Sequence, residues 1–349
     1  MQRLRIFFAG ISSLALLSFF GCSTDGPVAP DLNGTPTPPD PFEQNQRLGR
    51  GVNLGNALEA PVEGEWGVTL QAYFFPLLKN AGFKSVRLPI RWSAHAADTA
   101  PYTIDPAFMS RVQWAVDQSL ASNLAVVVNC HHYDQFMAAP QAEKPRLLAI
   151  WQQIAMRFRD YPDDLMFELL NEPDIRVTAE VWNQVVQESI DAIRKSNPRR
   201  TIIVGGVYWN AIEALASLEL PVSDQNLIVA VHYYNPLQFT HQGADWVPGS
   251  DTWLGTEWLG TDSEKKRIES DFDLAVQWSA QHQRPVHLGE FGAYSKADMN
   301  SRARWTAHVV KTARERKISF AYWEFCAGFG VYDKTKQDWN YPLFNALTQ

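Results

Sequence analysis

Short apolar, β-rich runs recur along the chain, separated by longer stretches in which apolar residues return with helical spacing. Eight such runs are Gly51–Ala57, Ser85–Trp92, Ala125–Tyr133, Leu165–Glu172, Thr201–Trp209, Leu227–Asn235, Pro285–Ala293 and Phe320–Cys326. Several are nearly continuous, as in Ala125-Val126-Val127-Val128, the pattern of a strand buried on both faces of a parallel sheet. Between them, Arg111–Leu120, Lys144–Phe158, Ala179–Arg194, Ser263–Gln281 and Asn300–Arg316 read as helices. Two of these are followed by proline, in Asp160-Tyr161-Pro162 and Asn197-Pro198, where a helix stop is expected. Strands alternating with helices imply right-handed βαβ units, and eight of them predict an α/β fold closed into a (β/α)₈ barrel. An open doubly wound sheet is the alternative, but no Gly-x-Gly-x-x-Gly turn follows the first strand.

The apolar runs end on polar or aromatic residues: Asn56 and Glu59, Arg87 and Arg91, His131 and His132, Asn171 and Glu172, Trp209, His232 and Tyr234, Glu290, and Trp323. In a barrel these C-terminal ends converge on one face, where active sites are built. One buried polar residue is commonly structural; one from every strand on the same rim predicts a functional cleft. Glu172 and Glu290 end the fourth and seventh runs, opposite one another across the barrel mouth. Such a pair is what glycosidic-bond hydrolysis needs, with one carboxyl protonating the leaving oxygen and the other attacking the sugar or activating water. Arg87, with Tyr234 as a second donor, would keep Glu290 ionised, whereas desolvation and the Glu290 charge would keep the Glu172 proton on.

The N-terminus bears on compartment. Arg3 and Arg5 precede an apolar stretch, Ile6 to Phe20, that is short for a membrane span and fits a signal-peptide core. Phe19-Phe20-Gly21-Cys22 resembles a bacterial lipobox, which implies lipidation of Cys22 and an exported protein anchored to the cell envelope. Residues 1–21 are expected as signal peptide, 22–41 as a Pro/Thr-rich disordered tether, and 42–349 as the catalytic barrel. The net charge of −7 with no basic run argues against nucleic acid as partner. Cys130 and Cys326 have no metal or redox spacing and are expected as buried thiols. Thirteen tryptophans exceed what a core needs and suit stacking on flat sugar faces, although most would pack the barrel.

At its motifs the chain resembles glycoside hydrolase family 5. These are Gly51-Val52-Asn53-Leu54-Gly55-Asn56-Ala57, Val86-Arg87-Leu88-Pro89-Ile90-Arg91-Trp92, Asn129-Cys130-His131-His132-Tyr133, Leu170-Asn171-Glu172-Pro173, Val231-His232-Tyr233-Tyr234, Gly289-Glu290-Phe291-Gly292 and Tyr322-Trp323-Glu324-Phe325. The resemblance implies a retaining mechanism with Glu172 as acid/base and Glu290 as nucleophile. It further implies that Asn171 binds the sugar 2-hydroxyl, Arg87 and Tyr234 hold the nucleophile, and His232 supports the acid/base. His131 would contact the sugar, and Trp323 would form a stacking floor followed by a cis peptide bond. Asn56, Glu59, His132 and Trp209 would be rim residues. The wording of Asn56-Ala57-Leu58-Glu59-Ala60-Pro61, His131-His132-Tyr133 and Trp246 resembles the branch that acts on both glucan and mannan. The expected partner is thus a β-1,4-linked glucan or mannan, met by a monomer without metal or cofactor. A strict β-mannanase and a xyloglucanase are the alternatives within the class.

Two readings from other classes compete. A metal-dependent hydrolase could use His131, His132, His232 and Glu172, but neighbours on a strand should point to opposite sides and share no ion. A non-catalytic glycan-binding barrel would use the aromatics equally well, but has no need of two opposed carboxylates.

Overall fold

The computed structural model describes residues 37–348; the expected signal peptide, Cys22 and most of the tether lie outside them. The tether was expected to run to residue 41, but Asp40 caps a helix, Pro41–Leu48, by accepting the Phe42 N–H. This helix closes the N-terminal end of the barrel. Its Asn45 donates to the Val286 carbonyl and accepts from Ser319, and Ser85 Oγ donates to the Leu48 carbonyl.

Eight parallel strands follow in barrel order: β1 Arg50–Asn53, β2 Ser85–Leu88, β3 Ala125–Asn129, β4 Leu165–Glu168, β5 Ile202–Gly205, β6 Leu227–Tyr233, β7 Val286–Phe291 and β8 Ser319–Tyr322. β1 pairs with β8, so the expected closure is met. All five expected helices are present, Ala179–Arg194 with its expected bounds and the others lengthened or shifted at their ends: Pro106–Ala121, Pro140–Arg157, Asp262–His282 and Met299–Glu315. After β5 the outer layer carries only a short 3₁₀ segment, Ile212–Ser217. None of the described helices is long and apolar enough to cross a membrane.

Side-chain parity divides the core in two. Ala125, Val127, Met166, Ile203, Ile228 and Ala230 form one cluster with Leu48, filling the barrel interior. Their odd-numbered or even-numbered neighbours, such as Val126, Phe167, Val204 and Val229, pack in the separate cluster under the helices. Two residues further along the interior lines of β1 to β4 come Asn53, Arg87, Asn129 and Glu168, all buried. The interior therefore changes from apolar to polar along the barrel axis. That change places the site.

The ladders are shorter than the apolar runs predict. β4 stops at Glu168, so Glu172 lies on the following loop rather than on the strand, at a φ of 48°. The pattern of residues cannot distinguish a laddered strand from its extended continuation into a loop packed against neighbours.

Candidate active site

Arg87 is the hub of the cleft floor. Its guanidinium is fully buried, so each of its five N–H groups needs an acceptor, and each has one. Nε and Nη2 donate to Glu168 at 2.6 and 2.8 Å, Nη2 also to Asn171 Oδ1 at 2.8 Å, and Nη1 to Asn53 Oδ1 and Glu290 Oε1 at 2.8 and 2.7 Å. Burial works against the cation, but the Glu168 and Glu290 carboxylates outweigh it and raise its pKa. Asn53 Nδ2 in turn donates to the carbonyl of Gly289, at 2.9 Å, fixing β1 against β7 beside the site.

Glu290 is carried by β7 at an irregularity in the ladder. Val231 pairs with Leu288, but His232 pairs with Glu290, leaving Gly289 as an extra residue. Such bulges re-aim side chains. Here a Cβ at Gly289 would lie 3.0 Å from His232 Nε2, so glycine leaves room for the imidazole beside the carboxylate. The second Glu290 oxygen accepts from the Tyr234 hydroxyl at 2.9 Å. Burial, with the Glu172 charge adding to it, holds Glu290 above the usual carboxylate range; His232 and the directly bonded Arg87 oppose that rise without cancelling it.

Glu172 is built differently. Its loop hangs from two backbone bonds, Asn171 N–H to the Cys130 carbonyl at 2.8 Å and Trp209 N–H to the Pro173 carbonyl at 3.0 Å. The side chain is 26% exposed and has one side-chain partner, His232 Nδ1, at 2.6 Å. Burial on its other sides raises its pKa to about 7, with Glu168 adding to the shift and Arg87 opposing it. His232, pushed down to about 4 chiefly by burial, is a neutral ring at neutral pH. One oxygen of Glu172, one of Glu290 and a ring nitrogen of His232 all lie within 4.8 Å of one another. Both Glu290 oxygens already accept from Arg87 and Tyr234, and a metal cation held by this trio would stand beside the buried Arg87 guanidinium, like charge against like.

The walls are aromatic. Trp323, just past β8, stacks on His131 with ring centroids 5.6 Å apart and planes at 4°. Asn129 accepts from Ile90 N–H through Oδ1, so its amide nitrogen faces His131 Nδ1 at 3.2 Å, which leaves the ring proton on Nε2. Trp209 is 50% exposed on a turn in which Tyr208, Trp209 and Asn210 all have left-handed backbone. Trp246 is exposed and packs edge-on to Tyr294 and His241, the latter touching Tyr234.

The comparisons with known proteins agree with this geometry. Residues 48–328 match the family described as cellulase (glycosyl hydrolase family 5). The chain belongs to glycosyl hydrolase family 5. It is 36% identical to Endoglucanase H of Acetivibrio thermocellus over 90% of this chain and 35% of that protein, so it spans about a third of that relative's length. It is 30% identical to Endoglucanase B of Clostridium cellulovorans over 84% of this chain and 71% of that one. Among solved structures, Cel5A of Thermotoga maritima in complex with mannotriose superposes with a TM-score of 0.87 at 49% identity, covering 88% of this chain and all (100%) of that chain.

The family motifs thus assemble as one cleft, and the expected cis peptide is found between Trp323 and Glu324. Two expectations change in detail. Glu59 does not stand on an open rim: its buried carboxylate accepts the N–H groups of Asn56 and Ala57, which shapes the Asn56 turn, and burial raises its pKa to about 8. It still reaches the floor, because a Cβ at Gly55 would meet Trp323 at 3.0 Å and Glu59 Oε1 at 3.4 Å. His131 and His132 do not point to opposite sides either. Both follow the end of β3, where strand alternation no longer applies, and their rings meet edge-on at 4.6 Å. The metal reading loses that particular objection. The engagement of Glu290 by Arg87 and Tyr234 takes its place.

Four participants went unread in the sequence. Trp66 packs edge-on against His132 and is partly exposed. Asn210 approaches His232 Nε2 at 3.4 Å, its amide filling the space that a Gly205 side chain would need. Asn53 and Glu168 complete the Arg87 hub. Interior strand parity, counted from Val127 and Met166, was the signal available for Glu168.

Proposed function

We propose that this family 5 protein is a retaining endo-β-1,4-glucanase that also cleaves β-1,4-mannan. The observation that carries the mechanism is the separation of the two carboxylates. Retention needs the pair about 5–5.5 Å apart and inversion ~6.5–9.5 Å, and the nearest Glu172 and Glu290 oxygens lie within 4.8 Å.

Glu290, paired with Arg87, attacks the anomeric carbon while Glu172 gives its proton to the departing glycosidic oxygen. The Glu290 charge is consumed in the resulting ester. Glu172, now anionic and next to a neutral ester, takes a proton from water as it attacks the same carbon, which releases the sugar and regenerates both groups. His232 holds Glu172 in either state, because a neutral imidazole donates from Nδ1 to the carboxylate or accepts there from the acid. Asn171, oriented by Arg87, faces the cleft beside the pair as the partner of the 2-hydroxyl.

The mannotriose and cellobiose complexes of Thermotoga maritima Cel5A support a dual substrate. In the same proposal the protein is exported and anchored through Cys22, so that Cys22→Ser would release it in soluble form. The test of the activity is hydrolysis of carboxymethyl-cellulose and of galactomannan, whose backbone is mannose alone, in EDTA, with Glu290→Gln as control. Hydrolysis of both polymers by the native protein and of neither by the variant is expected. Hydrolysis of one polymer alone would overturn the dual specificity, and chelator-sensitive activity would overturn the metal-free mechanism.

A further inference from the structure

The buried carboxylate bonded to Arg87 beside the nucleophile has no task in the mechanism. Glu168 ends β4 at an interior position, is inaccessible to solvent, and binds Arg87 through both oxygens. A scaffold does not require this arrangement, since burying a third charge beside two others is costly unless it compensates something. The groups facing Glu168 are Arg87 from β2, His232 from β6 and His287 from β7, with Glu172 beyond the strand end. Burial depresses both histidines, to about 4 and about 3, so they are neutral and Arg87 supplies the positive charge.

Charge accounting through the cycle shows what Glu168 compensates. In the free enzyme Arg87 faces two anions, Glu168 and Glu290. In the glycosyl-enzyme Glu290 is a neutral ester and the anionic Glu172 makes no bond to Arg87, so without Glu168 the buried guanidinium would have no carboxylate in direct contact. We propose that Glu168 is a positioning residue for the nucleophile: its two-point pair with Arg87 aims Nη1 at Glu290, and its charge remains as the cation's partner when Glu290 becomes an ester. A shared cation also stabilises the Glu290 anion less than an unshared one, which keeps that carboxylate reactive. This inference rests on the proposed nucleophilic role of Glu290.

The two halves of the reaction separate the idea from a structural role. With a 2-deoxy-2-fluoro-β-cellobioside of 2,4-dinitrophenol, a Glu290 oxygen forms a bond to the anomeric carbon as the bond to dinitrophenolate breaks. Water later cleaves the ester and returns the carboxylate. In Glu168→Gln, Arg87 is concentrated on Glu290, which becomes a weaker nucleophile and a better leaving group. Labelling should slow by ~10- to ~100-fold, while the trapped ester should be hydrolysed faster than in the native protein. The acidic limb of kcat/KM should move down by on the order of one pH unit.

Parallel slowing of both steps would overturn the proposal, as would unchanged rates. Should Glu168→Gln not fold, Glu168→Asp decides: it keeps the charge but shortens the reach, so labelling should slow while ester lifetime stays within about twofold of native. Unchanged labelling in Glu168→Asp would overturn the proposal. A native protein that is not labelled on Glu290 would instead refute the nucleophile assignment itself.

Discussion

Glu290 and Glu172 are the same residue type within 4.8 Å of each other, yet the fold treats them in opposite ways. Glu290 sits within a laddered strand, both oxygens are bonded, and a buried guanidinium faces it. Glu172 sits on a loop with left-handed backbone, has one side-chain partner and opens towards solvent. The difference shows how one amino acid is made into two reagents. In the proposed mechanism a guanidinium in direct contact limits how far burial raises one carboxylate, and desolvation without a direct cation keeps its twin protonated.

The comparison breaks most severely at the strand side. Glu290→Gln should lower kcat by on the order of 10⁴-fold or more, with the fold and polysaccharide binding retained, as checked by circular dichroism and affinity electrophoresis. Glu172→Gln should be milder and selective. Natural polysaccharides should lose ~10²- to ~10⁴-fold, whereas glycosylation by aryl cellobiosides with good leaving groups should change little, since they need little acid. Equal losses on both substrates would remove Glu172 from the acid role.

Most of this contrast was legible in the sequence, because chemistry-bearing residues at the ends of apolar runs are conspicuous. Glu172, Glu290, Arg87, Asn171, His232 and Tyr234 were found that way. Glu168 was not, since Leu165-Met166-Phe167-Glu168-Leu169-Leu170 reads as a buried run with one charge in it, and only its barrel-interior parity pairs it with Arg87. The left-handed turn at Tyr208-Trp209-Asn210 was also invisible: none of these residues is glycine, and tertiary contacts to Pro173 and His232 hold it. The helix Pro41–Leu48 was hidden by the proline- and threonine-rich composition just before it.

Smaller perturbations sharpen the contrast. Tyr234→Phe removes one hydrogen bond to an anion, worth about 1.5–3 kcal/mol, and should reduce kcat/KM by ~10- to ~100-fold with the basic limb unmoved. That basic limb reports Glu172. Its pKa of about 7 means that the acid form is present below that pH and lost above it, so kcat/KM should fall as pH rises through about 7. A profile flat to strongly alkaline pH would contradict the assignment. Trp209→Ala should have the smallest effect, with ring stacking worth about 0.5–1.5 kcal/mol. KM for polymer should rise ~2- to ~10-fold, with activity on short aryl glycosides essentially unchanged.

The central claim is that the two carboxylates work as a retaining pair, and proton NMR of the first anomer released from a β-1,4-linked oligosaccharide tests it most directly. Initial appearance of the β-anomer, followed by slow mutarotation to the equilibrium mixture, is the predicted result. Initial appearance of the α-anomer would mean that water, and not Glu290, attacks the sugar, and would contradict the account.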